Sequence, residues 1–143
     1  MLSIFRLLPL VLALGAALPL VAAEHTKDSL EKVRELVAAK KAVLVDVREK
    51  VEWDAGHIEG AKLVPMSLLK SKLTDERLRE LLPADKVIYL YCAGGIRCLD
   101  VAKTLKDRKL ELKPLKQGYQ TLVKEGFPKA LSEPDKSGSS FKK

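Results

Sequence analysis

Cysteine is scarce in this chain: two in 143 residues, Cys92 and Cys98, both within one short stretch. A small secreted domain held by disulfides uses more cysteines at wider spacing, so these two read as chemical rather than structural. Aromatic residues are also few, at 5%, and no basic block has aromatics interleaved. That argues against a nucleic-acid surface, despite a formal charge of +7. The lysines are spread beside glutamates and aspartates, as on a solvated face, and the charge supports only a mild pull on small anions. There is no internal repeat, and the length suits one domain.

Charge is missing from one segment altogether. Arg6 is the only charged residue among the first 23, and Leu7 to Ala23 is an apolar run rich in Leu, Ala and Val. Val21, Ala22 and Ala23 put small residues where an export peptidase reads, and Glu24 opens a polar chain. A basic start, an apolar centre and a small-residue cleavage site predict a signal peptide over 1–23 and an exported, periplasmic protein. The alternative is an uncleaved N-terminal membrane anchor, which Pro9, Gly15 and Pro19 weaken as a helix. With no cysteine near the cleavage site, lipoprotein anchoring is not expected. Once the leader is gone the domain covers 24–130, and the Ser-, Pro-, Gly- and Lys-rich 131–143 reads as a disordered polar tail.

Within the domain, Leu30, Val33, Leu36 and Val37 recur at helical spacing, with Asp28 and Glu31 placed as a capping box. Ala42–Val47 and the stretch 86–92 are short apolar runs, read as buried parallel strands. Residues 100–110 form the helix after the second of them, with Lys106, Arg108 and Lys109 at its C-terminal end. A further strand is read at 110–115 and a short helix after Gly118. Strands alternating with helices give an α/β fold, a parallel sheet with helices on both faces.

The chemistry concentrates in "YCAGGIRC". Cys92 ends a strand, at the sheet edge where such folds bind ligands. Ala93, Gly94, Gly95 and Ile96 bring no bulky polar group, and the glycines let successive N–H groups converge as an anion-binding nest. The next helix offers its positive end and Arg97 a planar cation. All three lower the pKa of the Cys92 thiol and would hold an anionic substrate. The loop is one residue shorter than the Cys-x5-Arg cradle of tyrosine phosphatases, which favours a sulfur atom over a phosphate and disfavours a phosphatase or arsenate-reductase-like activity.

Three blocks together resemble the rhodanese (sulfurtransferase) family: "LVDVREKVEWDAGHIEGAKLVP", "YCAGGIRC" and "LKQGYQTLVKEGFP", covering about Val43 to Pro128. The chain looks like the family's small exported single-domain members. The resemblance implies a five-stranded parallel sheet flanked by helices and the activity of a thiosulfate sulfurtransferase. Cys92 would take the outer sulfur of thiosulfate as a persulfide and pass it to cyanide or a thiol, with no metal or organic cofactor. The amides of Ala93 to Arg97 and the Arg97 guanidinium would stabilise the persulfide and orient the sulfonate. Three positions depart from the pattern: Gln117 in place of a glycine, Leu122 near a usual tryptophan, and Cys98 in place of serine or threonine.

Cys98 motivates a second reading, an exported sulfur carrier or thiol–disulfide protein acting on another exported thiol protein. At a helix start its pKa should fall, making it a resolving thiol for Cys92; otherwise it is a helix cap. The remaining polar and aromatic residues read as structural. His57 lies in a tight turn, Asp46 and Arg48 fix a strand end, Trp53 anchors an edge, Tyr89 and Tyr91 pack, and His25 is solvated beside the new N-terminus.

Overall fold

Alternation along two strands builds the molecule. In β4 (Val87–Tyr91) the side chains of Ile88 and Leu90, followed by Cys92, face one core, while Tyr89 and Tyr91 face another. In β1 (Ala42–Asp46) Val45, and Val47 just beyond, join the first core and Ala42 and Leu44 the second. A strand buried on both faces must be apolar throughout, which is why these runs read as continuous. The computed structural model describes residues 23–131. The expected tail (131–143) lies outside them apart from Leu131, and the expected leader (1–23) apart from Ala23. Among the described residues no helix is long and apolar enough to cross a membrane.

The elements, in chain order, are α1 (Leu30–Ala38), β1, α2 (Lys50–Asp54), β2 (His57–Ile58), β3 (Lys62–Leu63), α3 (Met66–Leu69), α4 (Asp75–Leu81), β4, α5 (Ile96–Thr104), β5 (Glu111–Pro114), α6 (Tyr119–Lys124) and β6 (Lys129–Ala130). The main sheet is parallel throughout, in the order β3-β1-β4-β5. Helices α3, α4 and α5 supply Leu69, Leu78, Cys98 and Val101 to the first core. On the other face, α1 and α6 supply Val33, Tyr119 and Leu122. This is the expected α/β sheet with helices on both faces.

Among the described residues the sheet holds four strands, where the resemblance implied five. Residues 25–28 run beside the outer strand β5 but share one backbone bond with it, Thr26 N to Pro114 O at 2.8 Å. Pro114 has no N–H to return, so no ladder develops there. The short β2 and β6 pair with each other, antiparallel, in a separate ribbon.

Helix ends differ from expectation in two places. Ser29, not Asp28, caps α1, accepting from Lys32 N. Asp28 is instead a charge hub for Tyr89 Oη (2.7 Å), Lys113 Nζ (2.8 Å) and Lys32 Nζ (2.9 Å). Those three donors hold its carboxyl far below the usual range, with Lys113 contributing most. Helix α5 starts at Ile96 and ends at Thr104, so Lys106, Arg108 and Lys109 lie past its end. Arg108 turns back to Asp75 and the Leu73 carbonyl, and Lys109 sits at φ 54°.

Candidate active site

Because β1, β4 and β5 run parallel, their C-terminal ends open onto one edge of the sheet. Cys92 leaves β4 at that edge, 1% exposed. The chain then turns through Ala93 and Gly94 to Gly95, whose φ of 87° is left-handed, and α5 begins. That turn points Gly95 N at Cys92 Sγ, 3.0 Å away. The N–H groups of Gly94 and Cys98 and the Cys98 thiol also bear on the sulfur, each lowering its pKa.

These donors make Cys92 acidic. The Cys98 hydrogen bond lowers its pKa most; burial opposes it, and the amides of Gly94, Cys98 and Gly95 add to the lowering. The result is about 5 against an ordinary 9.0. At neutral pH Cys92 is a thiolate, the reactive form.

The expectation for Cys98 reverses. Its thiol is fully buried and donates to the Cys92 thiolate, so losing that proton would put two negative sulfurs side by side. That hydrogen bond, then burial, then the charges of Cys92 and Asp46 push its pKa well above the thiol range. The helix dipole, which argued for a low value, is outweighed. Cys98 is not the helix cap either, since Gly95 holds that position and Cys98 lies in the first turn of α5.

The loop rests on the segment after β5. Tyr119 N donates to Cys92 O at 2.8 Å. A Cβ on Gly118 would come within 1.8 Å of Ala93 O, and one on Gly95 within 2.7 Å of Lys116 O. His25 is not simply solvated: its Nε2 lies 3.1 Å from Gly95 O.

Arg97 is less free than the sequence suggested. Its Nη1 and Nη2 both bind the Glu52 carboxylate at 2.7 Å. Arg97 is the largest cause holding the Glu52 pKa down at about 2, so the pair is ionised across the neutral range. The Glu52 bond likewise raises the Arg97 pKa, and the Cys92 and Asp46 charges add to it. Glu52 reaches this position because α2 opens with a capping box: Glu52 Oε2 accepts Glu49 N at 3.1 Å. Sequence reading missed Glu52 and His25, since both reach the loop only through the fold.

Behind the loop, Asp46 and Arg48 form a buried bidentate pair, with Nη2–Oδ2 at 2.7 Å and Nη2 also on Gly56 O at 2.8 Å. The guanidinium lies 4.2 Å from the Tyr119 ring centroid. Burial opposes its charge, but Asp46 outweighs burial and raises the Arg48 pKa. His57 stacks on Trp53, centroids 3.5 Å apart, and its Nδ1 bonds Trp53 O, as befits a structural residue. Tyr91 Oη accepts Ile58 N at 3.1 Å. Among the described residues no group of three or more His, Cys, Asp or Glu is placed to hold a metal ion.

Comparison with known proteins agrees with this layout. The rhodanese-like domain family matches residues 29–130. The chain is 40% identical over 89 residues to the probable adenylyltransferase/sulfurtransferase MoeZ of Mycobacterium tuberculosis, covering 59% of this chain and 22% of that protein. It is 38% identical over 76 residues to the tRNA uridine(34) hydroxylase of Salmonella newport, covering 52% and 21%. The chain thus spans about a fifth of the length of both. Among solved structures, the human single-domain sulfurtransferase TSTD1 is similar with a TM-score of 0.56 and 26% identity, over 67% of this chain and 93% of that one. With the match running from the cap of α1 to the end of β6, and with a strand-end cysteine inside a glycine-turned loop, the chain belongs to the rhodanese-like domain family.

Proposed function

We propose that this protein is a sulfurtransferase that carries sulfane sulfur as a persulfide on Cys92, taking it from thiosulfate and passing it to cyanide or a thiol. The carrying observation is the Cys92 sulfur itself, with a pKa of about 5 and amides converging on it. The thiolate attacks the outer sulfur of thiosulfate, the S–S bond breaks and sulfite leaves with its electron pair. One new S–S bond replaces one broken, and charge is conserved. The same amides then stabilise the terminal sulfur of the persulfide, and Arg97, though paired with Glu52, adds its charge interaction with Cys92. No metal or organic cofactor enters the step. The acceptor is a small thiol, cyanide, or an exported thiol protein met in the periplasm.

The second reading, a thiol–disulfide or sulfur-carrier role using Cys92 and Cys98, has one point in its favour: each thiol shifts the pKa of the other more than any other group does. The Cys98 thiol would pass its proton to the terminal sulfur of the persulfide, attack Cys92 Sγ, expel hydrosulfide with the S–S electron pair and leave a disulfide. Against it, the Cys98 thiol is buried and holds its proton firmly. Donating to Cys92 is the role its surroundings support.

Mass spectrometry of the protein after thiosulfate treatment tests both. One added sulfur on Cys92, absent in Cys92→Ser, is expected; no gain overturns thiosulfate as the donor. A Cys92–Cys98 disulfide forming on turnover, and abolished in Cys98→Ser, would establish the resolving role instead.

A further inference from the structure

The Glu52–Arg97 pair has a consequence for the donor. A thiosulfate sulfonate seeking Arg97 meets a guanidinium whose two terminal nitrogens already hold a carboxylate at 2.7 Å. Arg97 keeps three further N–H groups, but its charge is balanced, and Glu52 adds a partly exposed negative charge beside it. The pair is about 30% exposed, 29% at Arg97 and 33% at Glu52, so it is open to exchange with solvent ions rather than locked. Two of the exposed large apolar residues are chain neighbours of the pair: Ile96 beside Arg97, 79% exposed, and Val51 beside Glu52, 77% exposed. An inorganic dianion has no use for them, whereas an organic group does.

We infer that Glu52 is a specificity-determining residue: by occupying Arg97 it turns the site away from inorganic dianionic donors and toward organic, singly charged sulfane-sulfur donors. This rests on the sulfur-transfer reading above. The chemistry is the same for both classes. With an alkanethiosulfonate, Cys92 thiolate takes the outer sulfur, the S–S bond breaks, and an alkanesulfinate leaves with the electron pair. Cys92 becomes a persulfide anion, total charge is unchanged, and no outside oxidant or reductant is needed. Only the charge on the departing group differs, and that is what Glu52 senses.

The test compares thiosulfate with methanethiosulfonate in the full-length protein and in Glu52→Gln. Glutamine retains an acceptor for Glu49 N, and capping boxes accept it. Sulfur loading on Cys92 is read by mass spectrometry, and loading rate is followed against donor concentration. In Glu52→Gln the half-saturating thiosulfate concentration should fall roughly fivefold while that for methanethiosulfonate moves less than about twofold. Glu52→Ala, which removes the hydrogen bond as well, should shift the ratio the same way. Equal changes for both donors, or a loss of rate with both, would make Glu52 a positioning residue for Arg97 and overturn the inference. If the wild-type protein loads sulfur from neither donor, the sulfur-transfer reading itself fails and takes this one with it.

Discussion

Two arginine–carboxylate pairs flank Cys92, alike in geometry and opposite in setting. Asp46–Arg48 and Glu52–Arg97 are both bidentate with closest approaches of 2.7 Å. The first is sealed, with side chains 0% and 5% exposed, and the second sits about a third open to solvent. A sealed pair cannot trade partners: losing one member strands a charge out of reach of water, so it serves as a rigid prop for the strand end. A half-open pair loses little when water or another anion replaces one partner. Distance alone would give the two pairs the same role, and burial separates support from site.

Breaking the sealed pair should have the largest effect. Asp46→Ala leaves Arg48 charged beneath Tyr119 and should cost about 3–5 kcal/mol of stability, read as a lowered midpoint in urea unfolding. A loss below about 1 kcal/mol would mean water reaches Arg48 and the contrast with Glu52 is false. Next is the seat of the loop. Gly118→Ala brings a methyl carbon within 1.8 Å of the backbone oxygen Ala93 O, so the loop must shift. Cys92 loading should fall by more than about tenfold with the fold retained, as expected when donors are displaced by an ångström.

The inner arginine pair also bears on the cysteines, since the Asp46 charge contributes to raising the Cys98 pKa. Cys98→Ala removes the largest cause of Cys92 acidity, so the Cys92 pKa should rise from about 5 toward 9.0, seen as a thiolate ultraviolet absorbance that appears at higher pH. The sign for stability follows from a folded pKa below the unfolded one. The thiolate's contribution is complete above 9.0 and is lost as pH falls through about 5. In Cys98→Ala that window narrows from its acid side; an unchanged titration would remove Cys98 from the site. The smallest effect on stability belongs to Glu52→Gln, below about 1 kcal/mol. A cost as large as that of Asp46→Ala would show that the outer pair is a prop as well.

Much of this was legible in the residues. The apolar runs of β1 and β4, the strand–loop–helix around Cys92 and the glycines that turn the loop are local features, and local preferences govern them. What stayed illegible is instructive. Asp28 has the look of a cap because Glu31 stands three residues on, but a cap position one residue later is equally good locally, and tertiary partners settled the matter. Cys98 was expected to be acidic from its place on a helix, since the dipole can be read from sequence whereas the neighbouring thiolate and the burial cannot. Glu52 and His25 lie 45 and 70 residues from the loop partners they bind, and no local pattern announces such contacts.

By itself the sequence determined the alternation of strands and helices, the strand-end cysteine, and the glycine turn that lets backbone donors converge on it. Each of these depends on residues within a few positions of one another, where side-chain shape and backbone freedom decide. The tertiary structure alone decided which cysteine is made acidic and which keeps its proton, and that Arg97 shares its charge with Glu52. Both depend on burial and on charges brought together from distant segments, quantities that come into being only when the chain has closed on itself.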